Sequence, residues 1–340
     1  MRAFLLAVAM VACGAWQSLS VRAAEQPAEQ PIVIKFSHVA APQAHKSLAA
    51  EHFKKLAEAY TNGRVRVELF PNSQLYKDRE ELEALQLGAV HMLAPSVSKF
   101  GPMGVRAFEV FDLPYIFQDY EALSVVTEGP IGRELLDKLE GKGLIGLAYW
   151  NNGFKILSAN APLHAPDDVL GYKMRIQSSK VIEAQMWALG ALPQSMAFSE
   201  AYHALSTGVV DGTENTPANM FNQKMFEVQR HATITDHGYL GYAVISNVQF
   251  WKGLPADIRE ALERAIADTT PVANALARKE NDEAMEEMKN SGRVTFYTPT
   301  PEERAAWIAA LTPVHDEMAH RVGRELIERI YAATGRAAQH

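Results

Sequence analysis

The sequence contains a single cysteine, Cys13, in 340 residues. One cysteine excludes an intramolecular disulfide framework, and without a second thiolate a zinc–cysteine cluster is not credible. Beyond the N-terminal segment no apolar run reaches the about 20 residues that a membrane-spanning helix needs. The chain is therefore predicted to fold around an ordinary hydrophobic core, which its length and its 48% hydrophobic content can supply.

Sequence motifs of common catalytic sites are also missing. H-E-x-x-H, G-x-S-x-G and the Walker sequence do not occur. Residues 141–146 match G-x-G-x-x-G, but a predicted helix precedes them and a strand follows, which is the reverse of a dinucleotide-binding turn. No cofactor and no metal ion is therefore expected. A Ser/His/Asp set assembled only by the fold stays open as an alternative.

Two groups of polar residues are interpreted as surface features. His38, His45 and His52 recur every seven residues, and two helical turns separate neighbours by about 10 Å, too far to share a metal ion easily. His45 and His52 are predicted to be exposed, whereas His38 follows a strand and could face a cleft. The acidic residues from Asp78 to Glu83 begin a predicted helix, where they would complement its dipole and face solvent.

Acidic side chains exceed basic ones, 40 against 33, and give the chain a formal net charge of −7. Such a surface repels nucleic acid and anionic lipid, so neither is expected as a partner. If the natural ligand is an anion, local positive charge must capture it against the overall field.

Residues 1–23 have the layout of a secretory signal peptide. A basic start is followed by an apolar run over Ala3–Val11, and the small residues Val21 and Ala23 suit cleavage after Ala23. An uncleaved anchor and a lipoprotein modified on Cys13 are weaker alternatives. Cleavage removes two arginines and the cysteine, which leaves 31 basic and 40 acidic residues and a net charge of −9.

Short strands alternate with amphipathic helices through the first part of the chain, which is typical of an α/β protein. The remainder is helical in pattern, with one segment over 255–289, a kink expected at Pro271, and another segment over 301–332. These long helices are predicted to brace two lobes. The predicted strands cover residues 32–36, 65–69, 90–94, 144–150, 173–177, 209–210 and 242–245.

Arg175 is the most informative charged residue. In the predicted strand 173–177 it alternates with the apolar Met174 and Ile176, and a helix capped by serine follows at once. Ligands bind at the carboxyl ends of strands in α/β sheets, helix N-termini attract anions, and an arginine fork can bind a carboxylate through two hydrogen bonds. An arginine on an exposed strand face is an equally good interpretation.

Other candidates lie where strand ends and loops would reach the same cleft. Asn215 follows a short strand, and its amide can donate to a carboxylate or simply stabilise a turn. Phe198 could cover a ligand or fill the core, and Lys99 could line a strand-end loop or be solvated. Trp150 and Lys155 lie in a segment that is predicted to cross between the lobes.

The segments that carry these candidates resemble the extracytoplasmic solute receptors of tripartite ATP-independent periplasmic (TRAP) transporters, most closely the C4-dicarboxylate (DctP) type. The resemblance covers nearly the whole chain after the signal peptide. The stretches that carry it, in this order and spacing, are Phe36–Val39, Pro71–Leu75, Phe111–Tyr115, Tyr149–Lys155, Lys173–Ser178 and Val209–Asn215.

The resemblance implies an α/β fold of the two-lobed periplasmic binding protein type, with hinge-crossing segments. Lobe 1 would contain residues 32–150 plus about 241–280, and lobe 2 residues 151–240 plus about 281–334. Arg175 takes the role of the family's carboxylate-binding arginine, Asn215 that of its partner, and Phe198 that of the aromatic over the ligand. The other residues expected around the cleft are Lys155, His38, Ser96, Ser98, Lys99 and Trp150.

A dicarboxylate also needs donors for its far carboxylate, and His38, Ser98 and Lys99 are the candidates. The function implied is a periplasmic receptor that captures succinate, malate or fumarate by closing its cleft. It would act as a monomer, dock on the small and large membrane subunits, and not be an enzyme. A receptor for another organic acid is the nearest alternative, a sensor subunit would use the same fold, and a secreted enzyme acting on such an acid is less favoured.

Overall fold

The computed structural model describes residues 30–78 and 80–336, so the predicted signal peptide lies outside the described residues. Strands are β1 (Ile32–Ser37), β2 (Val65–Phe70), β3 (Met92–Leu93), β4 (Leu144–Ala159), β5 (Lys173–Ile176), β6 (Leu192–Ser195), β7 (Gly212–Asn215), β8 (His231–Asn247) and β9 (Thr295–Tyr297). Helices are α1 (His45–Tyr60), α2 (Glu81–Gln86), α3 (Tyr120–Thr127), α4 (Pro130–Asp137), α5 (Lys180–Ala188), α6 (Ala201–Ser206), α7 (Pro217–Asn222), α8 (Val248–Gly253), α9 (Ala256–Asn290), α10 (Pro301–Leu311), α11 (Val314–Val322) and α12 (Arg324–Thr334).

One sheet runs through the described chain in the order β2-β1-β3-β8-β4-β7-β5-β6, with β9 added beside β8. The first half, β2-β1-β3, and the second half, β7-β5-β6, are each parallel. Between them the long strands β4 and β8 pair antiparallel along their whole length. This arrangement confirms the predicted two-lobed α/β fold, because within the sheet the two parallel units are joined through β4 and β8.

The shared strands are irregular where they pass from one half to the other. Register shifts interrupt the β4–β8 ladder at three places, between Gly146 and Ala148, between Asn151 and Gly153, and between Lys155 and Leu157. Each shift leaves residues unpaired and lets a strand bend locally. Two continuous strands with such irregularities can connect two lobes and still allow them to turn.

Helix α9 spans both halves of the molecule. Its N-terminal part contributes Leu262 and Ile266 to the core beneath α1 and β1, and Met288 near its C-terminus enters a separate core beside α6 and α7. The described residues form four such buried apolar clusters, and the largest contains side chains of both halves. The predicted bracing helix is therefore present, as one element over Ala256–Asn290.

The bounds of four predicted elements differ from the structure. The predicted strand at Val209–Val210 is wrong: Val209 is 53% exposed after a turn at Gly208, and the strand begins at Gly212. Strands predicted over 144–150 and 242–245 extend to 16 and 17 residues, because buried polar residues inside them disguise the strand pattern. The predicted helical segment 301–332 is three helices, broken before Val314 and at Gly323, where φ is 109°.

Candidate functional site

A small cavity lies where strands and loops from both halves meet. Five residues predicted from the sequence line it: Ser96, Lys99, Arg175, Phe198 and Asn215. Five polar or aromatic residues that were not predicted also line it: Lys46, Asp78, Gln177, Asn219 and Tyr242.

Arg175 is completely buried at the wall contributed by the second half. It lies in β5, and Ser179 then caps α5 by accepting from the Ile182 amide at 3.4 Å. Its Nη2 donates to the Met196 carbonyl at 2.8 Å, but Nε and Nη1 have no hydrogen-bond partner. Buried donors are nearly always paired, so these two nitrogens need an acceptor that a carboxylate would supply.

Burial also lowers the pKa of Arg175, against the pull of the surrounding carboxylates Asp78, Glu214 and Glu200. None of these lies within ion-pairing distance of it among the described residues. The guanidinium is thus a buried positive charge without a contacting anion. An anionic ligand would relieve this cost of desolvation.

Asn215 is held next to Arg175 by a network of amides. Its Oδ1 accepts from the Thr216 amide at 3.0 Å and from Asn219 Nδ2 at 2.8 Å, which leaves its NH₂ group as the end that can donate into the cavity. Asn152 of β4 extends the network, donating to Asn219 Oδ1 at 3.1 Å and to the Tyr242 hydroxyl. The network fixes the orientation of Asn215 across the strands that join the two halves.

Phe198 links the two walls of the cavity. Its half-buried ring borders the cavity, and its backbone N–H donates to Asp78 Oδ2 at 2.6 Å. Asp78 lies in the loop between β2 and α2, on the opposite side of the sheet order from Phe198. This hydrogen bond can therefore form only when the two halves are close together.

Lys99 borders the cavity, but its ammonium is already ion-paired with carboxylates of the protein. Its Nζ lies 2.7 Å from Asp78 Oδ1 and 2.6 Å from Glu81 Oε1, and Glu81 is 1% exposed. The prediction that these acidic residues face solvent is therefore wrong for both, because the loop before α2 and the first residue of α2 turn inward onto the lysine. Burial raises the pKa of Asp78, but Lys99, the Phe198 amide and Arg175 outweigh it and lower that pKa to about 2.

Lys46 is the buried cation that the sequence interpretation missed. It begins α1, its Nζ donates to the Ala94 carbonyl at 3.0 Å, and the ammonium lies 3.6 Å from the centre of the Tyr242 ring. Burial lowers its pKa to about 7. A signal was available, since Lys46 shares the spacing of the buried face of α1 with Ala49, Ala50, Phe53 and Ala57.

Two predicted residues, His38 and Trp150, do not line the cavity. His38 is 1% exposed, and burial together with the charge of Lys46 lowers its pKa to about 3. Trp150 packs against Phe36 with ring centres 6.2 Å apart, and its Nε1 donates to Thr270 Oγ1 at 3.3 Å. Both side chains belong to the packing around the first half.

Ser98 and Lys155 are likewise occupied outside the cavity. The Ser98 hydroxyl donates to Asp112 Oδ1 at 2.6 Å. Lys155 Nζ lies 2.7 Å from Glu214 Oε2, and both side chains are at most 2% exposed. Lys155 is therefore committed to a buried ion pair within the sheet, between the neighbouring strands β4 and β7.

The prediction of exposed histidines on α1 is wrong for His45. It is 3% exposed and its Nδ1 pairs with Glu280 of α9. His52 is half-buried, with Nδ1 3.3 Å from Thr269 Oγ1. The long helix α9 covers α1, and this contact could not be read from the spacing of the histidines.

Comparison with known proteins identifies the family. The model for bacterial extracellular solute-binding proteins of family 7 (DctP) matches residues 36–321. The chain is 67% identical to the C4-dicarboxylate-binding periplasmic protein DctP of Rhodobacter capsulatus over 305 residues, 90% of this chain and 92% of that protein. It is 42% identical to the C4-dicarboxylate-binding protein DctB of Bacillus subtilis, covering 89% of this chain and 86% of the other.

Solved structures agree with the sequence relatives. A TRAP periplasmic solute-binding protein from Shewanella oneidensis with bound succinate matches with a TM-score of 0.87 at 40% identity, over 89% of this chain and 99% of that one. One from Pseudomonas aeruginosa with bound L-malate matches with a TM-score of 0.83 at 43% identity, over 84% and 100%. None of the described helices is both long and apolar enough to cross a bilayer. With its two-lobed sheet and a family match over most of its length, the chain belongs to the family-7 bacterial extracellular solute-binding proteins, the solute receptors of TRAP transporters.

Proposed function

We propose that this receptor captures a C4-dicarboxylate such as succinate, L-malate or fumarate in the periplasm. The observation that carries the proposal is Arg175, a fully buried guanidinium at the cavity wall, two of whose nitrogens have no hydrogen-bond partner among the described residues. The Rhodobacter relative is named for C4-dicarboxylate binding, and the Shewanella and Pseudomonas structures contain succinate and L-malate. The carboxylates of such a ligand would supply acceptors for the unpaired donors.

Capture proceeds by closure of the two lobes. Arg175 and the NH₂ group of Asn215 bind one carboxylate, and the ring of Phe198 covers the carbon chain. The hydrogen bond from the Phe198 amide to Asp78 then joins the walls. The lobes are residues 32–150 plus about 241–280 and residues 151–240 plus about 281–334, and β4 and β8 form the hinge at the boundaries.

The closed receptor then delivers its ligand to the small and large membrane subunits of a TRAP transporter. It acts as a monomer, holds no cofactor and leaves the acid chemically unchanged. Export through a cleaved signal peptide at residues 1–23 brings it to the periplasm. The family membership supports this sequence of events, and turnover of a bound acid by the purified protein would contradict it.

Titration calorimetry with a panel of acids tests the proposed ligand. The wild type should bind succinate or L-malate, and Arg175→Met should weaken that binding by about a hundredfold or more, because a buried charge pair is lost. Arg66→Met, at an exposed arginine of β2, is the matched control and should bind as the wild type does. Exclusive binding of monocarboxylates or sugar acids would show that the ligand is another organic acid.

A further inference from the structure

Two buried cations border the cavity without a carboxylate partner. Arg175 comes from β5 in the second half of the sheet, and Lys46 comes from α1, packed on the first half. Both side chains are at most 2% exposed. Among the described residues, no carboxylate lies within ion-pairing distance of either.

We propose that Lys46 binds the second carboxylate of the ligand and thereby makes the receptor select dicarboxylates over monocarboxylates. This inference rests on the proposed function, since it needs a dicarboxylate at Arg175. The ligand would then contact one cation on each half of the sheet. A dianion would neutralise both, whereas a monoanion bound at Arg175 would leave Lys46 buried and unpaired, which is costly.

The residues predicted to serve the far carboxylate are already engaged or lie outside the cavity. Lys99 is bound by Asp78 and Glu81 at 2.7 and 2.6 Å. The Ser98 hydroxyl donates to Asp112, and His38 does not line the cavity. Lys46 is the remaining cation of the cavity wall on the first half.

The surroundings of Lys46 hold its ammonium in place without a contacting carboxylate, since Glu81 and Asp78 act on it only from a distance and both pair with Lys99. The Ala94 carbonyl accepts one hydrogen bond at 3.0 Å, and the Tyr242 ring faces the ammonium at 3.6 Å. An ammonium has three donors, so this leaves donors for a ligand. The Tyr242 hydroxyl is fixed by Asn152, which keeps the ring under the lysine. The site is therefore built before the ligand arrives.

The test compares succinate with succinamate, its half-amide, which keeps the size and one carboxylate but lacks the second charge. In the wild type, succinate should bind at least about tenfold more tightly than succinamate. In Lys46→Met, succinate should lose that advantage while succinamate binds within about threefold of its wild-type affinity. Lys55→Met, at an exposed lysine of the same helix, should keep the wild-type preference.

The outcomes distinguish a failure of the role of Lys46 from a failure of the proposed function. If the wild type binds no dicarboxylate, the proposed function fails. If it binds succinate and Lys46→Met keeps the preference, or loses both ligands equally, the role of Lys46 is refuted while the function stands. Replacing an unpaired buried cation by an apolar residue of similar size should not harm folding. Lys46→Gln is the second variant, and equal wild-type affinities for the two ligands would overturn the inference without any variant.

Discussion

The two walls of the cavity handle buried charge in different ways. The second-half wall presents Arg175 with unpaired donors. The first-half wall presents Lys99, which is ion-paired with Asp78 and Glu81, and Lys46, which no described carboxylate contacts. A buried cation beside a cavity therefore indicates ligand binding only if no carboxylate of the protein already pairs with it. Four measurements test this difference between the walls.

The largest effect is expected on stability, at Lys155, which the sequence predicted to be a ligand-binding residue. Lys155→Met should destabilise the protein by about 3–5 kcal/mol, because it leaves Glu214 buried and uncompensated in the sheet. Chemical denaturation measures the loss. Adding Glu214→Gln to the same chain should recover much of the stability. Unchanged stability with lost succinate binding would instead make Lys155 a ligand contact.

The next effect is a pH dependence of succinate affinity. Burial lowers the pKa of Lys46 to about 7 in the free protein, and a bound carboxylate would raise it. Binding then takes up a proton, so affinity is highest below the free pKa and falls as pH rises through it, by about tenfold per pH unit until the bound pKa is reached. Calorimetry from pH 7 to 9 measures this slope.

The other titratable groups near Lys46 are not expected to produce the same pH dependence of succinate affinity. His38, with its pKa near 3, stays neutral across the range, and Asp78, with its pKa near 2, stays charged. Lys99 has a raised pKa and stays protonated. Burial raises the pKa of Glu81, so Lys46→Met is the control that isolates the lysine, and it should show a flat profile.

A smaller effect is expected at Ser98. Ser98→Ala removes the hydrogen bond to Asp112, whose burial raises its pKa to about 6, and should cost about 1–3 kcal/mol of stability. Succinate affinity should stay within about twofold, since the hydroxyl points to Asp112 and not to the ligand. A large loss of affinity at unchanged stability would restore Ser98 as a donor to the far carboxylate.

The smallest effect is expected at Phe198. Phe198→Leu keeps the backbone N–H that donates to Asp78 and removes only part of the ring surface. Affinity for succinate and succinamate should fall together, by about threefold, because the proposed contact of the ring is with the carbon chain that both ligands share. A change in the ratio of the two affinities would mean that the ring also positions the second carboxylate.

The fold was largely predictable because its pattern is local. Alternating strands and helices, with a long helical segment at the end, indicated an α/β protein, and the family resemblance carried by Lys173–Ser178 and the neighbouring stretches is confirmed. The predictions failed where polar residues lie inside long strands. Asn151, Asn152 and Lys155 are buried in β4, and no local pattern reveals that they are paired across the sheet.

Sequence alone determined the strand-end position of Arg175, because strand alternation and the following helix cap are encoded by neighbours in the chain. Only the tertiary structure decided the roles of the other charges. Lys99 meets Asp78 and Glu81, and Lys46 meets the face of Tyr242, through contacts between residues far apart in the sequence. Whether a buried charge is available to a ligand depends on such partners, and only the packed lobes bring them together.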